Sequence, residues 1–186
     1  FAETAPRGEL ARVLMHEVIH SITSTTLNKY VDVNVNGKAK ERDGVKVPKE
    51  VTNLIRVFNR ARKAFENTKG NAGKIKAAEQ QSSLTDEQLD IDYGFTNIKE
   101  FLALLSTSEN FVQTLGNLKY DENTTILEKL SKALSDLIVM LRKNIGLETD
   151  SELVSDAFAS MFSVIELQTG KKINYGSVNV NSLINK

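Results

Sequence analysis

His16-Glu17-Val18-Ile19-His20 constrains this chain more than any other stretch. It holds both histidines of the chain, four residues apart. On an α-helix, residues four apart share a face and lie about 6 Å apart along the axis. In a strand the same spacing is about 13 Å. If the two imidazoles act together, the segment is a helix. The surrounding residues agree: Leu10, Val13, Leu14, Val18, Ile19 and Ile22 recur at helical spacing and predict a first helix over 8–27. Two imidazoles so placed can grip one zinc ion. Glu17 is then held near the metal's open position, where a carboxylate can take a proton from water.

Composition narrows the class. A chain of 186 residues suits one domain with a real core, or one domain with a small appendage. Lys plus Arg and Asp plus Glu are equal at 24 each, and this zero balance argues against nucleic acid as a partner, since phosphate neutralisation needs a basic surplus. Cysteine is absent, which excludes disulfides, thiolate metal sites and Cys nucleophiles. No apolar run approaches the roughly 20 residues of a membrane span, and no signal-peptide pattern follows Phe1. The opening on Phe rather than Met predicts a fragment or processed product of something longer.

Helical patterns dominate the rest. Val31, Val33 and Val35 alternate as in a strand and lead into Asn36-Gly37, a tight-turn signal, with 44–47 as the predicted return strand. Pro48 is placed to open a second helix, with Val51, Leu54, Ile55, Phe58, Ala61, Ala64 and Phe65 as its apolar stripe. Gly70 and Gly73 close it, and the polar stretch 74–90 reads as loop. Tyr93-Gly94-Phe95 precedes a short helix over 97–105, and Ser108 caps another over 109–115. A long helix over 124–143 stops at Gly146. A last helix covers 151–167, and a strand is predicted over 175–180.

Two histidines do not complete a tetrahedral zinc site, which needs a third protein ligand and a water. With no further histidine, that ligand is a carboxylate. The stretch after His20 has neither the Gly nor the His that metzincins carry. The candidates are Asp32, Glu41, Glu50, Glu66, Asp90, Asp92 and Glu100. Glu41 and Glu50 stand in charged or helix-start surroundings and read as solvated. Glu66, after Phe65, is the second choice. Glu100 is the first choice, because it opens the nearly apolar run 101–105, where a carboxylate is costly unless a cation pairs with it.

The segment from Tyr93 to Phe101 (Tyr-Gly-Phe-Thr-Asn-Ile-Lys-Glu-Phe), after His-Glu-x-x-His, resembles a known pattern. It looks like the gluzincin-like metallopeptidase domains of phage and mobile-element polyvalent proteins and, more distantly, the peptidase domain of anthrax lethal factor and its relatives. The resemblance covers roughly 9–115, and 141–147 resembles the helical tail that follows such domains. It implies His16, His20 and Glu100 as zinc ligands, Glu17 as general base and Tyr93 as an oxyanion donor. One departure is visible: many such domains carry a further acidic residue one turn after the Glu ligand, where this chain has Ala103 and Leu104. They also place a small sheet ahead of the motif helix. With fifteen residues before His16, that sheet is expected to be missing or supplied by another segment.

The expected fold is mainly α, with at most a small hairpin. A zincin-like core with the motif helix covers 1–116, including a flexible loop over 70–90. A C-terminal helical extension over 117–186 packs on it. The expected activity is zinc-dependent hydrolysis of peptide bonds in a protein or peptide substrate. The resemblance favours a virion or host-cytoplasm setting and assembly with other parts of a larger polyprotein or virion. The alternative is an inactive virion structural or host-interaction protein that retains its zinc site.

Overall fold

The computed structural model describes residues 46–80 and 87–145 throughout. It also describes residues 16, 17, 19–21, 24, 27–32, 38–39, 162, 163, 166, 169 and 170. The architecture is mainly α-helical. After the motif segment come strands β1 (Val31–Asp32) and β2 (Lys38–Ala39), then helices α1 (Lys49–Glu66), α2 (Lys74–Glu79), α3 (Glu87–Gly94), α4 (Ile98–Thr107), α5 (Glu109–Asn117) and α6 (Ile126–Ile145). None of the described helices is long and apolar enough to cross a membrane.

The hairpin closes earlier than the alternation predicts. β1 and β2 pair antiparallel, Val31 with Ala39 and Asp32 with Lys38. Residues 46–48, at the end of the predicted return strand, have no regular structure. A return directly after Asn36-Gly37 closes a shorter loop at lower entropic cost. The predicted loop over 70–90 also needs correction. Residues 74–79 are helical, with Ile75 and Ala78 buried on one side, and residues 87–90 open α3, which continues through Tyr93 and Gly94. Two small anchors one turn apart are too few to show as a period in the sequence, yet they suffice once α3 supplies a wall. The predicted strand over 175–180 and the stop at Gly146 lie outside the described residues.

Start signals explain the helices around the site. Pro48 precedes α1 with φ −59°, the value its ring imposes. Ser108 Oγ accepts from the Phe111 N–H to cap α5. Thr125 and Glu128 exchange bonds ahead of α6: the Glu128 carboxylate accepts from the Thr125 N–H at 2.8 Å, and Thr125 Oγ1 accepts from the Glu128 N–H at 3.2 Å.

α1 lies along α6, α3 packs on α4 and α5, and α5 packs on α6. At their centre five phenylalanines meet. Phe65 stacks on Phe95 at 4.3 Å between centroids, and Phe101 meets Phe58 at 5.2 Å and Phe111 at 5.4 Å, both edge to face. Ile19, Leu27 and Phe162 join this same core. The aromatic cluster is the platform from which α4 presents Glu100.

Candidate metal centre

Every described residue between 16 and 27 is helical. Ile19 and Leu27 sink into the core, and this sets the rotation of the helix. His16 and His20 then fall on the flank beside the buried face, at 25% and 20% side-chain exposure. Glu17 and Ser21 face outward.

Glu100 reaches the histidines from the first turn of α4. Asn97 caps that helix: its Oδ1 accepts from the N–H groups of Lys99 at 3.0 Å and Glu100 at 3.1 Å. Glu100 is the third helical residue, where the helix dipole favours a carboxylate. The cap already serves the first-turn N–H groups, so the Glu100 carboxylate is left to face His16 and His20. Phe101 to Leu105 are all buried, which holds α4 in place beneath it.

Tyr93 is delivered by α3, and Gly94 decides how closely α3 can approach. A Cβ on Gly94 would lie 2.5 Å from Phe111 Cε2 and 2.8 Å from Leu104 Cδ1. Any larger residue would have to displace that ring and the Leu104 side chain. The close approach brings the Tyr93 hydroxyl to 3.5 Å from Glu100 Oε1, a long contact. Burial chiefly, then the charge and hydrogen-bonding of Glu100, raise the Tyr93 phenol above its ordinary value, so it stays protonated.

Three donor atoms converge. His16 Nε2 is 2.9 Å from His20 Nε2 and 3.5 Å from Glu100 Oε2, and His20 Nε2 is 3.3 Å from Glu100 Oε2. Among the described residues, this is the one group of three or more His or acidic side chains with donor atoms within 4.8 Å of one another. Tetrahedral zinc with bonds of about 2.0–2.2 Å sets its ligand atoms about 3.4 Å apart. The three edges here fall close to that, with the His–His edge the short one. The composition, two imidazoles and one carboxylate, also fits zinc.

The electrostatics agree with a cation-seeking site. Three deprotonated donors would aim their lone pairs into one space, so a proton or a metal ion is needed between them. Burial is the largest single influence on Glu100 and acts to raise its pKa. Hydrogen bonds and charge from His16 and His20 together outweigh it and hold the carboxyl at about 2, against an ordinary 4.5. His20 is raised above its ordinary 6.5, first by its hydrogen bond to Glu100 and then by the charges of Glu100 and Glu17, against burial and Lys99. Glu17 therefore lies within electrostatic reach of the centre.

The structure thus brings together His16, His20 and Glu100, with Tyr93 beside them. Glu66 is exposed at the end of α1, and neither it, Glu50 nor the buried Asp92 joins the cluster. The side chains of Asp32, Glu41 and Asp90 lie outside the described residues. Ala103 and Leu104, at the position of the further acidic residue in the resembling domains, are buried in the core. Three contributors escape a reading of the motif alone. Asn97 carries a cap signal three residues before Glu100, Gly94 matters through a clash only the fold reveals, and Arg62 donates to the Thr96 carbonyl across 34 positions. Comparisons with protein-family models, curated proteins and solved structures find no match.

Proposed function

We propose that this chain is a zinc-dependent peptidase of the gluzincin kind, part of a larger phage or mobile-element protein. The convergence of His16 Nε2, His20 Nε2 and Glu100 Oε2 within 3.5 Å carries the reading. Those three residues would hold the ion. A zinc ion supplies Lewis acidity toward a carbonyl and lowers the pKa of water to about 7.

The chain's own groups supply the rest. Glu17 neighbours His16 on the motif helix and is exposed. It acts as general base: it takes the proton of the attacking water and returns it to the leaving amine. The Tyr93 phenol, kept protonated, donates to the oxygen of the scissile carbonyl as negative charge develops there. Before substrate arrives the same O–H points at Glu100 Oε1 over a long 3.5 Å contact, which it gives up to reach the developing oxyanion.

Replacing Glu17 with Gln tests the reading. The variant is expected to bind zinc like the parent and to lose cleavage of a peptide library by about 100-fold or more. Cleavage at the parent rate would exclude Glu17 as the base. Zinc binding by a parent that cleaves no peptide would instead favour the alternative, a structural protein stapled by the ion.

A further inference from the structure

We infer that Arg62 is a positioning residue for the metal centre. It fixes the turn between α3 and α4, and through it the placement of Glu100 and Tyr93. The inference rests on reading His16, His20 and Glu100 as a zinc site.

Arg62 projects from the fourth turn of α1 and is held on three sides. Its Nη1 donates to the Thr96 carbonyl at 3.0 Å, its Nη2 donates to Glu79 Oε1 at 3.2 Å, and its Cζ lies 5.7 Å from the centre of the Phe58 ring. Only 15% of the side chain is exposed. Thr96 is itself buried and sits between the two residues at issue, three after Tyr93 and four before Glu100. Its Oγ1 donates to the Tyr93 carbonyl at 2.7 Å. On its other side, Asn97 donates Nδ2–H to the same Oγ1 at 3.4 Å and caps the turn of α4 that carries Glu100.

A turn that merely reverses the chain can leave its carbonyls to water. Here a guanidinium is largely buried to reach one of them, at a desolvation cost that Glu79 and the Phe58 face offset in part. What the contact supplies is rigidity. Arg62 ties the turn to α1, the helix whose buried face rests on the aromatic core and on α6. A metal centre needs its ligands held within about 0.5 Å. The Tyr93 and Glu100 contacts both depend on where this turn sits.

The test uses the full chain and zinc alone. Arg62→Met keeps most of the volume and removes both donors. It is expected to weaken zinc binding about 10-fold or more, the lower range seen for groups that orient ligands. It should also shift the visible bands of the cobalt-substituted protein while the far-ultraviolet circular dichroism stays helical. Glu79→Gln is the control. It removes the charge of the ion pair, keeps a side-chain oxygen that can accept from Arg62 Nη2, leaves the Thr96 contact, and should bind zinc within about twofold of the parent. Where Arg62→Met does not fold, Arg62→Lys, which keeps the charge but not the fork, carries the same test. A folded Arg62 variant with the parent's zinc affinity and cobalt spectrum overturns the inference and leaves the zinc reading intact. Equal weakening by Glu79→Gln overturns it too, as general loosening of the α1–α2 contact. A parent that binds no zinc overturns both.

Discussion

Glu100 meets His16 across 84 positions of sequence and His20 across 80. Removing a direct ligand should exceed the roughly 10–100-fold loss typical of an outer-shell partner. Glu100→Gln is therefore expected to lower zinc affinity by more than about 100-fold, read by competition with a chromophoric chelator. Unchanged affinity would remove Glu100 from the ligand set. The same residues make the metal-free protein sensitive to pH. Glu100 is depressed from 4.5 to about 2, so its stabilisation is complete above 4.5 and is lost as pH falls toward 2. His20 is raised, so its stabilisation is complete below 6.5 and is lost as pH rises through the raised value. The chelated protein should then melt highest between about pH 4.5 and 6.5. Thermal scans across pH check this, and Glu100→Gln should flatten the maximum.

At the scale of elements, α3, α4 and α5 meet closely at Gly94. A Gly→Ala change inside a helix ordinarily stabilises by about 1 kcal/mol. At Gly94 the added methyl meets the Phe111 ring and Leu104, both buried, and overpacking of this kind costs about 1–3 kcal/mol. Gly94→Ala is expected to be destabilising on balance, as a lowered midpoint in urea; a raised midpoint would mean that the ring yields easily. Sequence pattern alone reveals α1, α4, α5 and α6, because each has an apolar stripe and a cap or proline at its start. It also ranks Glu100 first among seven carboxylates, through the apolar run that follows it. It misses α2, whose only buried residues are Ile75 and Ala78, it misses α3, whose Glu87–Gly94 span falls on the predicted loop and on Tyr93-Gly94, and it overextends the hairpin, since alternation says nothing of where a strand turns back. Gly94 and Arg62 are invisible to it, because each matters through a contact made only when distant helices meet.

For the molecule as a whole, the centre joins the motif segment to α4, and both rest on one core. Zinc that binds only the folded chain adds about 2.7 kcal/mol at a free concentration 100 times its Kd. For a chain of this size that is roughly 5–10 °C in thermal midpoint. Calorimetry with and without a chelator should show this difference, and Glu100→Gln should abolish it. An equal midpoint in both conditions would mean that the folded and unfolded chains take zinc alike.

The spacing of the donors has one more consequence. The three donor atoms, Glu17 and Tyr93 all lie in two short windows, 16–20 and 93–100, each anchored by its own buried residues, Ile19 in the first and Phe95 and Ile98 in the second. The β1–β2 connection lies between those windows and supplies none of the three converging donor atoms. Doubling the length of a flexible loop costs only about 0.6 kcal/mol in closure entropy. An insertion between β1 and β2 is thus expected to cost little stability while the three donor atoms keep their triangle.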